Sequence, residues 1–296
     1  MKATFIGTSA IIMWSMLALF TSFTQGIPPF QLLTLTFALG GTVGVLYIFL
    51  IKKSGLKSIK QPLKAWLIGV SGLFGYHFLY FNALSRAPVA EASLIAYLWP
   101  LLIVLFSAFL PNEKLKWFHI LGALIGLSGA FLIIQSKGNL TFDSAHNIGY
   151  LFALGCALTW SIYSVLNRTQ ASVPRETVAF FCLITAVLAF LSHTLFENWY
   201  TPNFKQWLAI IGLGIGPVGL SFYTWDYGTK NGDIRLLGVL SYLAPLLSTF
   251  LLIISTDIEM TWHIAIACCL ITFGAIIASR DLIFKSKKNS SLKITS

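Results

Sequence analysis

The sequence predicts an all-α integral membrane protein, with ten transmembrane helices arranged as two inverted five-helix repeats. Three observations lead there. The 296-residue chain is 56% apolar and only 10% charged, with a mean hydropathy of +0.79, whereas soluble domains carry about 25% charged residues. Ten apolar runs each approach the ~20 residues needed to cross hydrocarbon. Several uncommon phrases of the first half return in the second, about 145 residues later.

The ten runs are 3–22, 29–51, 64–85, 88–110, 116–135, 148–168, 174–197, 207–230, 232–255 and 259–280. The first carries Trp14 in its middle and no A-x-A-like site after it, so it reads as a span rather than a cleaved signal. Short links separate the runs, several with turn residues: Gly26-Ile27-Pro28-Pro29, Ala87-Pro88, Pro111-Asn112, Val173-Pro174 and Asn231-Gly232. The fourth and ninth runs hold a mid-span proline, in AYLWPLL (Ala96 to Leu102) and SYLAPLL (Ser241 to Leu247). The eighth contains Gly214-Ile215-Gly216-Pro217-Val218-Gly219. This fits a dinucleotide fingerprint by letter, but it lacks the strand and βαβ unit that the chemistry requires. The stretch 285–296 is basic and polar and reads as a solvated tail. The predicted division is a first repeat over 1–138, a second over 139–284, and the tail.

The net charge is +10. The basic residues lie between apolar runs, which points to positive-inside topology and away from nucleic acid. With the amino terminus in the cytoplasm, seventeen Lys and Arg fall inside, against Arg86, Lys137 and Lys205 outside. Both termini are therefore expected in the cytoplasm. Cys156, Cys182, Cys268 and Cys269 all lie in apolar runs without ligand spacing, so no disulfide, metal or other cofactor is expected.

The repeat is read from several pairs. Trp14-Ser15 matches Trp160-Ser161, Gly75 matches Gly219, Pro100 matches Pro245, Glu113 matches Glu259, and Gly129-Ala130 matches Gly274-Ala275. Each half holds five spans, an odd number, so the second half enters the membrane upside down. Inverted repeats of this kind place a transporter's substrate site at their interface near mid-bilayer.

Pro100 and Pro245 fall near that depth and are the predicted hinges, releasing the carbonyls of Ala96 and Ser241 as acceptors. Trp66, Trp117, Trp199, Trp207, Trp225 and Trp262 lie near span ends, as an interfacial belt. Trp14, Trp99 and Trp160 are mid-span, joined by Tyr76, Tyr97, Tyr163 and Tyr242. These rings either fill the core or line a cavity, and their grouping around a repeat axis favours the cavity. Tyr97 and Trp99 project to opposite sides of a regular helix, while Trp160, Tyr163 and Asn167 share a face. His77 is the predicted deep polar group. Asp226 and Lys230 are expected to pair at the interface, and Arg86 is expected to pair with Glu91. Gly40-x-x-x-Gly44 and Gly122-x-x-x-Gly126 could join helices within the bundle or between two copies, leaving a homodimer open.

The stretches NALSRAPVAEASLIAYLWPLL (Asn82 to Leu102) and YGTKNGDIRLLGVLSYLAPLL (Tyr227 to Leu247) resemble the EamA-type branch of the drug/metabolite transporter superfamily over nearly the whole chain. Within it, Tyr97-Leu98-Trp99-Pro100, Trp14-Ser15, Trp160, Tyr163 and Ser241-Tyr242 are similar to YddG-type aromatic amino acid exporters. The resemblance implies a bacterial inner-membrane exporter of aromatic or large neutral amino acids. Its cavity would be lined by spans one, three, four, six, eight and nine, and Asp226 would depart from the pattern. The candidate substrate-binding set is Trp14, Tyr76, His77, Tyr97, Trp99, Trp160, Tyr163, Ser241 and Tyr242. A multidrug or quaternary-amine exporter is the alternative, because aromatic rings also attract cations. A sugar-phosphate carrier would need a deep Lys or Arg, which no span centre has. An enzyme is not expected: HExxH, G-x-S-x-G and paired deep carboxylates are all missing.

Overall fold

The computed structural model describes residues 1–52, 58–111, 113–135, 140–255 and 262–280. The predicted repeat boundary at 138/139, Lys53, Lys57, Lys137, Glu259 and the tail 285–296 lie outside the described residues. The secondary structure of the described residues is helices and connecting links, without strands. Among the described residues, nine helical stretches are long and apolar enough to span a membrane. In order they are Lys2–Ser22, Pro29–Lys52, Leu63–Leu84, Val89–Phe109, Trp117–Gln135, Ser144–Arg168, Arg175–Phe196, Phe204–Asn231 and Ile234–Ser255, here spans one to nine. A shorter apolar helix, Trp262–Ala278, follows and is called the tenth helix.

Pairing follows a simple rule. Span one packs on spans eight and nine, and span six packs on spans three and four. Span two packs on span seven, span four on span nine, and span five on the tenth helix. Each contact has a partner when span n is exchanged with span n plus five. The polar ties of spans two and seven follow the same exchange. At one face Glu176, opening span seven, pairs with Lys52 at the end of span two. At the other, Glu197 beyond span seven accepts from the backbone N–H of Phe30 and Gln31 at the start of span two, at 2.9 and 3.1 Å. That carboxylate satisfies N–H groups that a helix start leaves unpaired.

Besides a turn at Met16 in span one, four spans change their winding in mid-course. Spans three and eight each contain a wide π-type turn, at Ser71–Gly75 and Gly216–Leu220, 145 residues apart. Widened turns misalign backbone bonds, and a side chain four residues on donates back into each. His77 Nδ1 bonds the Leu73 carbonyl at 2.7 Å, and Ser221 Oγ bonds the Pro217 carbonyl. Spans four and nine break outright. Span four runs Val89–Ala96, turns at Tyr97 and Leu98, and resumes at Trp99–Phe106. Span nine runs Ile234–Leu240, turns at Ser241 and Tyr242, and resumes at Leu243–Ser255.

The breaks therefore precede the prolines. Pro100 and Pro245 stand in the first turn of the resumed helices, where a missing N–H costs nothing. The expectation that the Ser241 carbonyl loses its helical partner is corrected: it accepts from Ala244 N at 3.1 Å, in a tightened turn.

Both small-residue motifs are used inside the chain. A Cβ on Gly122 would lie 2.5 Å from the Gly274 carbonyl oxygen, and one on Gly126 would lie 2.6 Å from the Tyr242 ring. A Cβ on Gly40 would lie 2.8 Å from Gly219 Cα, and one on Gly44 would strike the Tyr223 hydroxyl. The Gly-x-x-x-Gly signal thus reports close approach within the bundle.

Gly274→Ala places its Cβ 2.6 Å from the Gly122 carbonyl oxygen, whereas Gly155→Ala meets nothing nearer than 3.5 Å. The first is expected to cost about 1–3 kcal/mol by overpacking, and the second to be neutral or stabilising. Thermal midpoints of the two purified variants in detergent check this.

Candidate functional site

Four indoles meet where spans one, four, six and eight converge. Ring centroids of Trp14 lie 6.2 Å from Trp99, 5.6 Å from Trp160 and 5.0 Å from Trp225. Trp99 is 6.3 Å from Trp160 and 5.9 Å from Trp225, and Trp160 is 6.2 Å from Trp225. Every pair is within aromatic contact range. Trp225 is the member that sequence reasoning missed. Assigned there to the interfacial belt, it is 0% exposed at the heart of the box. A signal was present: Ser221, Phe222, Trp225, Asp226 and Thr229 share one helical face, and all are buried. Counting from the end of a 28-residue span concealed it. Trp117, Trp199, Trp207 and Trp262 are exposed near helix ends, as a belt requires.

Two indoles are tied by serines. Trp14 Nε1 donates to Ser221 Oγ, and Trp225 Nε1 donates to Ser164 Oγ, both at 3.1 Å. At Trp99 the contact is with the backbone: Ser161 Oγ lies 3.0 Å from the Trp99 carbonyl and 2.6 Å from the Ala157 carbonyl of its own helix, with one proton for the two. The break at Tyr97 and Leu98 makes this carbonyl reachable from span six.

Around the box stand the other predicted residues. Tyr76 lies 5.2 Å from Trp160, and His77 lies 5.2 Å from Phe37 and 6.3 Å from Phe222. Tyr163 lies 5.1 Å from Trp160 but rests over Gly72, and its hydroxyl is buried without a partner among the described residues. The remaining three predicted residues lie at the breaks of spans four and nine. Tyr97 falls in the span-four turn and is half-buried. Ser241 spends its hydroxyl on the Leu237 carbonyl. Tyr242 packs with Ala130, Leu246, Ile264 and Ile271, between span five and the tenth helix.

The two ends of the bundle differ. Toward the face bearing the amino terminus, Ile11, Trp225, Asp226, Thr229 and Leu237 are completely buried. Toward the opposite face, Tyr76, His77, Tyr80, Phe81 and Tyr97 keep partial exposure. Polar bonds reinforce the closed end. Lys230 Nζ is 2.8 and 3.0 Å from the two Asp226 oxygens and donates to the Val173 carbonyl at 3.0 Å. Asn167 Nδ2 donates to Asp226 and to Thr229 Oγ1. The expected Asp–Lys pair is present, sealed inside rather than lying at the interface. Nearer the surface, Glu113 binds Arg168 at 2.6 Å and lies 3.3 Å from Arg235. Arg168 also donates to the Thr229 and Gly232 carbonyls.

The expected Arg86–Glu91 pair does not form. Arg86 turns back to Asn82 and Ser85. Glu91, 0% exposed, accepts from Thr141 N at 2.6 Å, Phe142 N at 3.0 Å, Thr141 Oγ1 and Tyr150 Oη. Backbone N–H groups of the incoming loop solvate this carboxylate as fully as a guanidinium would, and fix the loop as well. No group of His, Cys, Asp and Glu among the described residues could hold a metal.

The profile of the EamA-like transporter family matches residues 1–135 and again 147–280. The chain belongs to that family. The aromatic amino acid exporter YddG of Ancylobacter novellus is 54% identical over 279 residues, covering 94% of this chain and 97% of the relative. The aromatic amino acid exporter YddG of Escherichia coli K12 is 27% identical over 288 residues, covering 90% and 94%. A solved crystal structure at 53% identity superposes with a TM-score of 0.90, covering 94% of this chain and 97% of that one.

Glu91→Ala would leave several donors facing an empty site, so a loss of about 2–4 kcal/mol is expected. Arg86→Ala, exposed and locally bonded, is expected to change stability by less than about 0.5 kcal/mol. Thermal denaturation of the two variants in detergent compares them.

Proposed function

We propose that the protein exports aromatic and other large neutral amino acids across the bacterial inner membrane, by alternating access around the four-indole box. The observation that carries this is the box itself. It is a mid-bundle cluster of rings from spans one, four, six and eight, in a chain 54% identical to an aromatic amino acid exporter. Apolar ring walls suit a flat, apolar side chain. His77 supplies an acceptor beside it: its Nδ1–H is used on Leu73, so Nε2 of the neutral ring carries the lone pair.

The proposed topology is ten spans in two inverted five-helix repeats, over 1–138 and 139–284, with both termini in the cytoplasm. The exchange symmetry of the span contacts, the π-type turns 145 residues apart and the double family match support the repeats. The seventeen-to-three distribution of Lys and Arg supports the orientation. On this reading the structure is closed toward the cytoplasm. Loading from that side requires Glu113, Arg168 and Arg235 to part and the layer of Ile11, Trp225 and Leu237 to open. The wide turns in spans three and eight and the breaks in spans four and nine supply places to bend.

A quaternary-amine exporter is the second reading, favoured by the same rings. It is weaker because Asp226, the carboxylate beside Trp225, is occupied by Lys230 and Asn167.

The test is efflux and counterflow of labelled L-phenylalanine and L-tryptophan in proteoliposomes, with a quaternary ammonium compound alongside. Saturable amino acid transport is expected, with Trp99→Ala and Trp160→Ala reduced about tenfold or more while remaining monodisperse. Transport of the quaternary cation alone would replace this reading with the second. Independently, Arg168→Gln is expected to raise labelling of Leu237→Cys by an impermeant thiol reagent several-fold from the amino-terminal side, in a background whose native cysteines are alanine.

A further inference from the structure

The four indoles are not equivalent, and the difference identifies which of them read the substrate's polar end. Trp14 and Trp225 have their N–H groups occupied by Ser221 and Ser164. Trp99 and Trp160 are 6% and 3% exposed, and their N–H groups have no hydrogen-bond partner among the described residues. Nor are they sealed. The buried side-chain polar atoms lacking a partner among the described residues are Tyr163 Oη, Thr185 Oγ1 and Tyr242 Oη. Trp99 Nε1 and Trp160 Nε1 are therefore accessible, unspent donors on rings 6.3 Å apart. An indole N–H can only donate, and a carboxylate can only accept.

The cations nearest the box are already committed. Lys230 directs its ammonium to both Asp226 oxygens and to the Val173 carbonyl, three acceptors for three donors. Arg168 is bound to Glu113 and to two carbonyls. A carboxylate entering the box thus meets neutral N–H groups rather than a charge.

We infer that Trp99 and Trp160 bind the carboxylate of an amino acid substrate through their indole N–H groups, while Ser164 and Ser221 are positioning residues that hold Trp225 and Trp14 as a fixed apolar wall. The assignment rests on the amino acid reading of the preceding subsection. It separates two jobs within one aromatic box: two rings discriminate carboxylates, and two shape the side-chain pocket.

The test compares L-phenylalanine with phenethylamine, which keeps the ring and ammonium but lacks the carboxylate. Each competes against labelled L-tryptophan in proteoliposomes, and ligand-induced thermal stabilisation in detergent serves any variant too slow to assay. Trp99→Phe and Trp160→Phe keep an aromatic ring and remove the N–H. Each is expected to lower the preference for phenylalanine over phenethylamine about tenfold, chiefly by weakening phenylalanine. Trp225→Phe is expected to leave that preference within about twofold. Ser164→Ala is expected to weaken both ligands in parallel, and Ser164→Thr, which retains the hydroxyl, to restore them.

An unchanged preference in both Trp99→Phe and Trp160→Phe overturns the carboxylate assignment, as does an equal loss of preference in Trp225→Phe. Failure of Ser164→Thr to restore recognition overturns the positioning role. A parent protein that recognises the amine but not phenylalanine overturns the amino acid reading itself, which a changed or unchanged ratio among the variants does not.

Discussion

In hydrocarbon a backbone carbonyl without a donor has no water to turn to, and the local structure of this bundle is arranged around that constraint. Spans three, four, eight and nine all depart from regular α-helix in mid-course, and a named donor stands at or beside each departure. His77 serves the wide turn of span three, and Ser221 serves that of span eight. Ala244 N serves the Ser241 carbonyl, and Ser161 the Trp99 carbonyl. Three of these groups also shape the box. Ser221 receives the Trp14 indole, His77 stands against Phe37 and Phe222, and Ser161 lies against the Trp99 carbonyl. Satisfying the irregular backbone and building the site are the same set of bonds.

Charge is distributed with equal economy. The box itself is rings and hydroxyls, and the ionised groups nearest it are paired off in a layer toward the amino-terminal face. A buried ion pair contributes little net stability, because desolvation offsets most of its attraction, but breaking one partner away is costly. Asp226, Lys230, Asn167 and Thr229 form such a unit beneath Trp225, with Glu113, Arg168 and Arg235 above them at the surface. These groups come from spans six, eight and nine and the link after span four, so they hold several helices in one arrangement. At the offsets of the repeat pairs in those spans, 144 for Gly75/Gly219 and 146 for Trp14/Trp160, the counterparts are Asn82 for Asp226, Arg86 for Lys230 and Ser22 for Arg168. The two ends therefore differ in their polar groups although the span contacts exchange: an Asp226–Lys230 pair at one, an Arg86–Asn82 bond and the Glu91 cluster at the other.

Parts of the site were legible in the sequence. Trp14, Trp99 and Trp160 could be placed at mid-depth by counting from span ends, because depth along a straight helix is set by its 1.5 Å rise per residue. Trp225 could not be placed this way, since span eight is 28 residues long and widens at Gly216–Leu220. Tyr242 sits at a depth like theirs, yet it faces Gly126 across span five. Rotation about the helix axis decided its place, and the break at Ser241 and Tyr242 reset that rotation. The partner of Glu91 was equally invisible. Neighbouring Arg86 is the obvious choice along the chain, but the carboxylate takes backbone N–H groups some fifty residues away.

The amino-acid sequence by itself determined the solvent, the positions of the spans and the internal recurrence. These depend on composition, run length and spacing, which are properties of the chain read in one dimension. Only the tertiary structure decided which rings meet, which indole N–H groups are spent on serines, and which end of the bundle is sealed. Those outcomes depend on how each helix is rotated against its neighbours. In this fold the rotation is set by close glycine contacts and by breaks whose carbonyls find donors on other spans.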